Sequence, residues 1–147
     1  MSTEENKALV RRAFEEVWNQ GNVALADELY APNIRFQNPG VADVRSLEDF
    51  KLLVIALRSP FPNGHMTIED MIAEGDQVVT RYTFRGTNTA NFVTPLPLPA
   101  TGKQVTMTGI AFARLAGGKV VEVLDMGDNL GLLQQLGLIP VPSQESR

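Results

Sequence analysis

The chain has 147 residues, 44% of them apolar and 20% charged, the balance of a globular domain with a proper core rather than of a disordered segment. A net charge of −4, a sequence pI of about 5.0 and no cluster of five basic residues speak against nucleic acid as the main partner. With no cysteine, disulfides, zinc-thiolate sites and thiol catalysis are excluded, which fits a reducing, cytoplasmic setting.

The opening Met1-Ser2-Thr3-Glu4-Glu5 is polar and acidic, unlike a secretory leader. Ser2 and Glu5 have the spacing of a capping box. Leu9, Val10, Ala13, Phe14, Val17 and Trp18 then recur at helical spacing, which predicts a first helix that Gly21 stops. Asn22 caps a short second helix over Val23–Leu29, ended by Pro32. Ile34–Asn38 reads as a strand before the Pro39-Gly40 turn. Ser46 and Asp49 open a third helix with Phe50, Leu53, Val54 and Leu57 as its apolar stripe, and Pro60 and Pro62 forbid its continuation.

Beyond this point the period falls from about 3.6 to 2. Met66–Ala73 and Gln77–Gly86 read as a hairpin around Glu74-Gly75-Asp76, with Val78, Tyr82 and Phe84 on one face and Arg81, Thr83 and Arg85 on the other. Residues 87–102 form a Pro-rich loop. Gln104–Leu115 is a long strand, turned by Ala116-Gly117-Gly118 into a last strand, Lys119–Met126. Asp128 caps a final helix, Asn129–Leu136, closed by Gly137. Helices first and antiparallel strands after them are the α+β pattern. One domain over residues 1–139 is expected, with a fraying Pro/Ser/Gln-rich tail at 140–147. No apolar run approaches the roughly 20 residues that cross a bilayer, so no membrane partner is expected.

Four segments in order carry a family likeness: "ENKALVRRAFEEVWNQGN" (5–22), "MTIEDMIAEGDQVVTRYTFRGT" (66–87), "TGKQVTMTGIAFAR" (101–114) and "GKVVEVLDMGDNLGLLQQLG" (118–137). Together they resemble the SnoaL-like polyketide cyclase family over roughly residues 5–138. The resemblance implies a cone-shaped α+β barrel of the nuclear-transport-factor-two type. A strongly curved, mostly antiparallel sheet would wrap around the N-terminal helices and enclose an apolar pocket. It also implies a homodimer paired through the sheets, for which Thr106, Thr108, Ile110 and Phe112 offer a face opposite Ala111. Ketosteroid isomerases and limonene epoxide hydrolases resemble the same architecture, so the fold alone leaves the reaction open.

Asp125 leads the candidate residues. Val121, Val123 and Asp125 share one face of the last strand, and a carboxylate that follows two valines is expected to be partly buried. Burial raises its pKa toward the range useful for proton transfer. The resemblance gives an Asp at this position the role of general acid/base. Asp128, three residues on, is explained by capping. The family places a histidine on the long strand where this chain has Ala111. Phe36-Gln37-Asn38 stands where many relatives carry a "DHD"-like trio. Gln37 and Asn38 can donate hydrogen bonds to a substrate carbonyl or enolate oxygen, or satisfy the neighbouring backbone.

The Tyr82 ring faces either the pocket or the core, and its hydroxyl needs a partner, a ligand oxygen or Asp125. Asn88 replaces a histidine common in relatives and opens the Pro-rich loop. Phe92, Leu96 and Leu98 on that loop either cover the pocket mouth or serve a structural role. Trp18, Phe14, Phe50 and Met66 are core side chains first. Of these Trp18 and Phe50, with Met107 and Ala111 on the long strand, are expected to touch substrate as well. His65, the only histidine, lies in a turn, and with no cysteine a metal site is not expected.

These residues point to a cofactor-independent enzyme on a small hydrophobic carbonyl substrate. Asp125 would catalyse an intramolecular aldol-type ring closure. An isomerase, a hydrolase or a non-catalytic binding protein would use the same pocket. Arg81 and Arg85 face away from it, which disfavours an Asp-Arg-Asp epoxide mechanism.

Overall fold

The computed structural model describes residues 1–92 and 98–142. Helix α1 spans Thr3–Arg12 and starts on the expected capping box: Glu5 N donates to Ser2 Oγ (3.1 Å) and Ser2 N to Glu5 Oε1 (2.9 Å). It does not run on as an α-helix. Over Ala13–Trp18 it widens to a π-helix, with Asn19 N bonded to Phe14 O at 3.0 Å. The end of this wide turn is tied down from outside. Arg58 donates to the Trp18 and Asn19 carbonyls (2.8 and 3.1 Å), and the Asn19 amide exchanges two hydrogen bonds with the Met66 backbone. A π-turn is uncommon and holds where outside partners support it.

A 3-10 turn, Val23–Leu25, leads into the short helix α2, Ala26–Leu29. Strand β1 runs Tyr30–Gln37, four residues earlier than expected, and Pro32 lies inside it. The strand is on the sheet edge and its ladder to β5 skips between Tyr30 and Arg35, so a residue without an N–H is tolerated there. Helix α3, Leu47–Arg58, is capped by Ser46. Strands β2 (His65–Glu74), β3 (Gln77–Thr87), β4 (Gln104–Ala116) and β5 (Lys119–Gly127) follow, and Asp128 caps α4, Asn129–Gln135. These bounds lie within a residue or two of the sequence reading.

The five strands form one sheet in the order β1-β5-β4-β3-β2, antiparallel except for the parallel β1·β5 pair. This is the expected α+β architecture, a curled sheet closed around the N-terminal helices. Its inner face carries Val78, Tyr82, Ala111, Ala113, Leu115 and Val120, all buried. One detail differs from simple alternation. Leu115 pairs with Val120 but Arg114 pairs with Glu122, which leaves Val121 as an extra residue in a β-bulge. The inward set on β5 is therefore Val120, Val123 and Asp125, not Val121, Val123 and Asp125.

Phe50 anchors the core at zero exposure. Its ring centroid lies 4.4 Å from Tyr30, 5.6 Å from Phe36 and 5.8 Å from Trp18. A smaller cluster of Phe61, Val105 and Leu136 closes the other end. Outside, Ile72, Val79, Phe112 and Leu124 form one cross-strand row, with Ile110 and Met126 paired beside it. No helix among the described residues is long and apolar enough to cross a membrane. Phe50→Ala should remove about 3–5 kcal/mol of unfolding free energy in urea titrations, because three aromatic rings lose their common neighbour.

Candidate active site

The curl of the sheet leaves a hollow between its inner face and the helices, a cavity of about 420 Å³. That is the size of a small-molecule site. Phe14 and Trp18 from the π-turn, Phe36 from β1, Met66 from β2, Phe84 from β3 and Met107 from β4 make most of its wall apolar. Leu132 and Leu133 of α4, with Phe92 and Leu98 of the long loop, also border it. Phe92 and Leu98 are bonded to each other through their backbones (2.8 and 3.2 Å). Leu96 lies outside the described residues.

Asp125 enters this apolar space from β5, directly beside Ala111 in the β4·β5 ladder. Each carboxylate oxygen receives one neutral donor. The Tyr82 hydroxyl donates to Oδ1 at 2.7 Å and the Asn38 amide to Oδ2 at 3.0 Å. Burial is the dominant influence and pushes the Asp125 pKa above its usual value, while the two hydrogen bonds hold part of that rise back. Burial, and then the neighbouring carboxylate, push the Tyr82 phenol up as well, so it stays a donor.

Local structure explains how both donors reach. Asn38 Oδ1 accepts from Gly40 N at 2.9 Å, which turns its Nδ2 toward Asp125. The Asn-Pro-Gly turn thus satisfies its own backbone and aims a donor inward with the same amide. Tyr82 sits on β3, two strands from Asp125, and must cross β4. It crosses at Gly109, its ladder partner, where a Cβ would overlap the Tyr82 ring and hydroxyl. The Phe14 ring, 5.6 Å away and tilted, backs the phenol from the helix side.

Of the expected substrate contacts, Trp18, Asn38, Tyr82, Met107 and Ala111 line the cavity with Asp125. Three do not. Gln37 is placed by alternation beside Leu124, which is 41% exposed on the outer face. Asn88 is fully buried, and its amide is spent on the loop. It donates to Pro60 O and Ala90 O (3.0 and 2.9 Å) and accepts from the Thr101 N–H and hydroxyl (2.8 and 2.9 Å). Phe50 lies behind the wall, in the core. His65 is exposed at the start of β2, and Asp128 accepts from Gly131 N at 2.9 Å as a cap. Arg81 is outside, paired with Asp70 at 2.8 Å, and Arg85 is exposed. Among the described residues no group of three His, Asp or Glu side chains stands ready to hold a metal ion.

The sequence reading missed Thr80. It shares the inner face with Val78 and Tyr82, so strand alternation was the available signal. Arg58 also borders the cavity, but two of its donors serve the π-turn described above.

The profile of the SnoaL-like polyketide cyclases matches residues 8–136. Solved structures agree in fold. A protein from Jannaschia sp. CCS1, provisionally called a SnoaL-like polyketide cyclase, superposes with a TM-score of 0.84 at 24% identity, over 94% of this chain and 95% of that one. AclR from Streptomyces galilaeus, provisionally a hydroxylase, gives 0.81 at 26% identity over 97% and 87%. IdmH from Streptomyces antibioticus, provisionally a polyketide cyclase, gives 0.77 at 28% identity over 90% and 98%. No curated protein matches the chain.

The setting of Asp125 predicts a stability effect of definite sign. Its carboxyl binds a proton more tightly folded than unfolded. Its contribution is therefore most favourable below the ordinary value of 3.8 and is lost as pH rises through the raised folded value. Asp125→Asn removes that dependence. Paired thermal melts should show the melting temperature of the variant gaining on that of the parent as pH rises from the ordinary value of 3.8 through the raised folded one.

Proposed function

The chain belongs to the SnoaL-like polyketide cyclase family, and from that membership we propose that it closes a ring in a bulky, mostly apolar carbonyl compound by proton transfer through Asp125. The observation that carries this reading is a carboxylate held by two neutral donors inside an apolar cavity of about 420 Å³. Asp125 takes a proton from the carbon beside a carbonyl. The resulting enolate attacks a second carbonyl of the same molecule and forms the new carbon–carbon bond. The alkoxide left at that second carbonyl takes the proton back from Asp125. Substrate and product are isomers, no electron leaves or enters, and the reaction as written needs no cofactor.

Each Asp125 oxygen accepts one hydrogen bond from the protein and keeps lone-pair capacity for the substrate proton. Tyr82 supplies what the absent histidine would have supplied at position 111, a polar partner for the carboxyl group. The small residues Gly109 and Ala111 leave it the room. The apolar wall folds the flexible substrate so that its enolate carbon meets the second carbonyl carbon, and such positioning is worth several powers of ten in rate.

Outside the cavity, we propose that the row of Ile72, Val79, Phe112 and Leu124, with the exposed Ile110 and Met126, pairs with a second copy of the chain. Light scattering should then give the mass of two 16.1 kDa chains, and the mass of one would contradict the pairing.

Asp125→Asn should lower kcat by about 10²–10⁴-fold on a cyclisable substrate. Full turnover would remove the catalytic reading, and tight retention of unchanged ligand would leave a binding protein in its place. Tyr82→Phe and Gly109→Ala should each cost about 10-fold or more in kcat. Because the Tyr82 bond lowers the Asp125 pKa, both should also move the acid limb of the kcat/KM profile to higher pH. An unmoved limb in both variants would deny Tyr82 that role.

A further inference from the structure

Thr80 lines the cavity, is fully buried, and its hydroxyl has no hydrogen-bond partner among the described residues. A buried hydroxyl of this kind is rare, because losing its water without gaining a partner is unfavourable. Its surroundings on the sheet explain why no neighbour serves it. Along the inner face its β4 neighbour is Ala111, which has no polar side-chain atom, and the next residue across is Asp125, already held by Tyr82 and Asn38.

The same ladder fixes where Thr80 stands relative to the chemistry. Thr80, Ala111 and Asp125 form one cross-strand row. Strands in a sheet are about 4.8 Å apart, which puts Thr80 and Asp125 about 10 Å apart at their Cα atoms. Only a methyl group lies between them, so a molecule laid across Ala111 meets Asp125 with one part and Thr80 with another.

We propose that the Thr80 hydroxyl is an anchor for a second oxygen of the substrate, a ketone or quinone-type carbonyl several bonds from the reacting carbon. The Thr80 O–H donates to that oxygen, and the anchor decides which carbon is presented to Asp125. The selected ligand is therefore an apolar, multi-ring or folded-chain compound with a carbonyl at each of two separated positions. The hydrogen bond at Thr80 rests on reading the cavity as the substrate site, while the presentation of a carbon to Asp125 rests on the proposed function as well.

Fluorenone and fluorene test it, since they share one tricyclic shape and differ by a single carbonyl. Calorimetric titration of the full chain should show fluorenone binding the more tightly. Thr80→Val keeps the shape and removes the hydroxyl. It should weaken fluorenone about 5- to 10-fold and leave fluorene within about twofold. Thr80→Ser should keep the preference for the ketone. If both probes bind and Thr80→Val leaves their ratio unchanged, the anchor is wrong and the cavity stands. If neither probe binds the parent protein, the cavity reading fails and the anchor falls with it. Ligand-free Thr80→Val should melt no lower than the parent, and a fall of more than about 4 °C would show the hydroxyl in internal use and overturn the proposal.

Discussion

A carboxylate shut among apolar side chains has to be solvated by the protein itself, and at Asp125 two neutral groups do so, the Tyr82 hydroxyl and the Asn38 amide. Neither brings a positive charge, so the carboxyl group keeps a raised affinity for its proton. Much of the local architecture serves this one arrangement. The Asn-Pro-Gly turn orients the amide through Gly40 N. The absence of a side chain at Gly109 lets the phenol cross β4. The bulge at Val121 decides which face Asp125 occupies. Without that extra residue, Leu124 and Met126 would follow Val120 into the cavity and Asp125 would face outward.

The fold divides its apolar residues between filling space and enclosing it. Around Phe50 the rings of Trp18, Tyr30 and Phe36 pack into a closed core. Further along the inner face the Tyr82 ring lies over Gly109, and the short side chains of Ala111 and Ala113 leave the sheet floor open beside it, where the cavity lies. Trp18 and Phe36 belong to both regions. The π-turn over Ala13–Trp18, held by Arg58 and by the Asn19–Met66 exchange, fixes the helix end that presents Phe14 and Trp18 to the hollow.

Much of this was legible in the residues because it depends on local chemistry. Ser2, Ser46 and Asp128 cap where their spacing placed them, and two-residue alternation correctly put Tyr82 inside and Arg81 outside. The family likeness led to Asp125 and to the curled sheet. What escaped was set by partners far along the chain. Pro32 reads as the stop of the second helix, yet it lies inside β1, where an edge ladder with a gap accommodates it. Gln37 lies next to Asn38 and faces the other way, because β1 keeps strict alternation there. Asn88 was read for its likeness to a functional position, while its side-chain carbonyl is consumed by Thr101 and its NH2 group by the Pro60 and Ala90 carbonyls. Phe50 has the size of a pocket residue, but three aromatic neighbours cover it. The Val121 bulge exists only in the pairing with β4, which one strand cannot reveal.

The central claim is that Asp125 is a proton-exchanging group because its site is apolar and its partners are uncharged. Site-specific carbon-13 labelling of aspartate, followed by NMR titration of the Asp125 carboxyl in the ligand-free protein, measures this directly. A midpoint above the ordinary value of 3.8 is predicted. A midpoint at or below that value would mean that the carboxylate is held as a permanent charge, and the account of the site would be wrong.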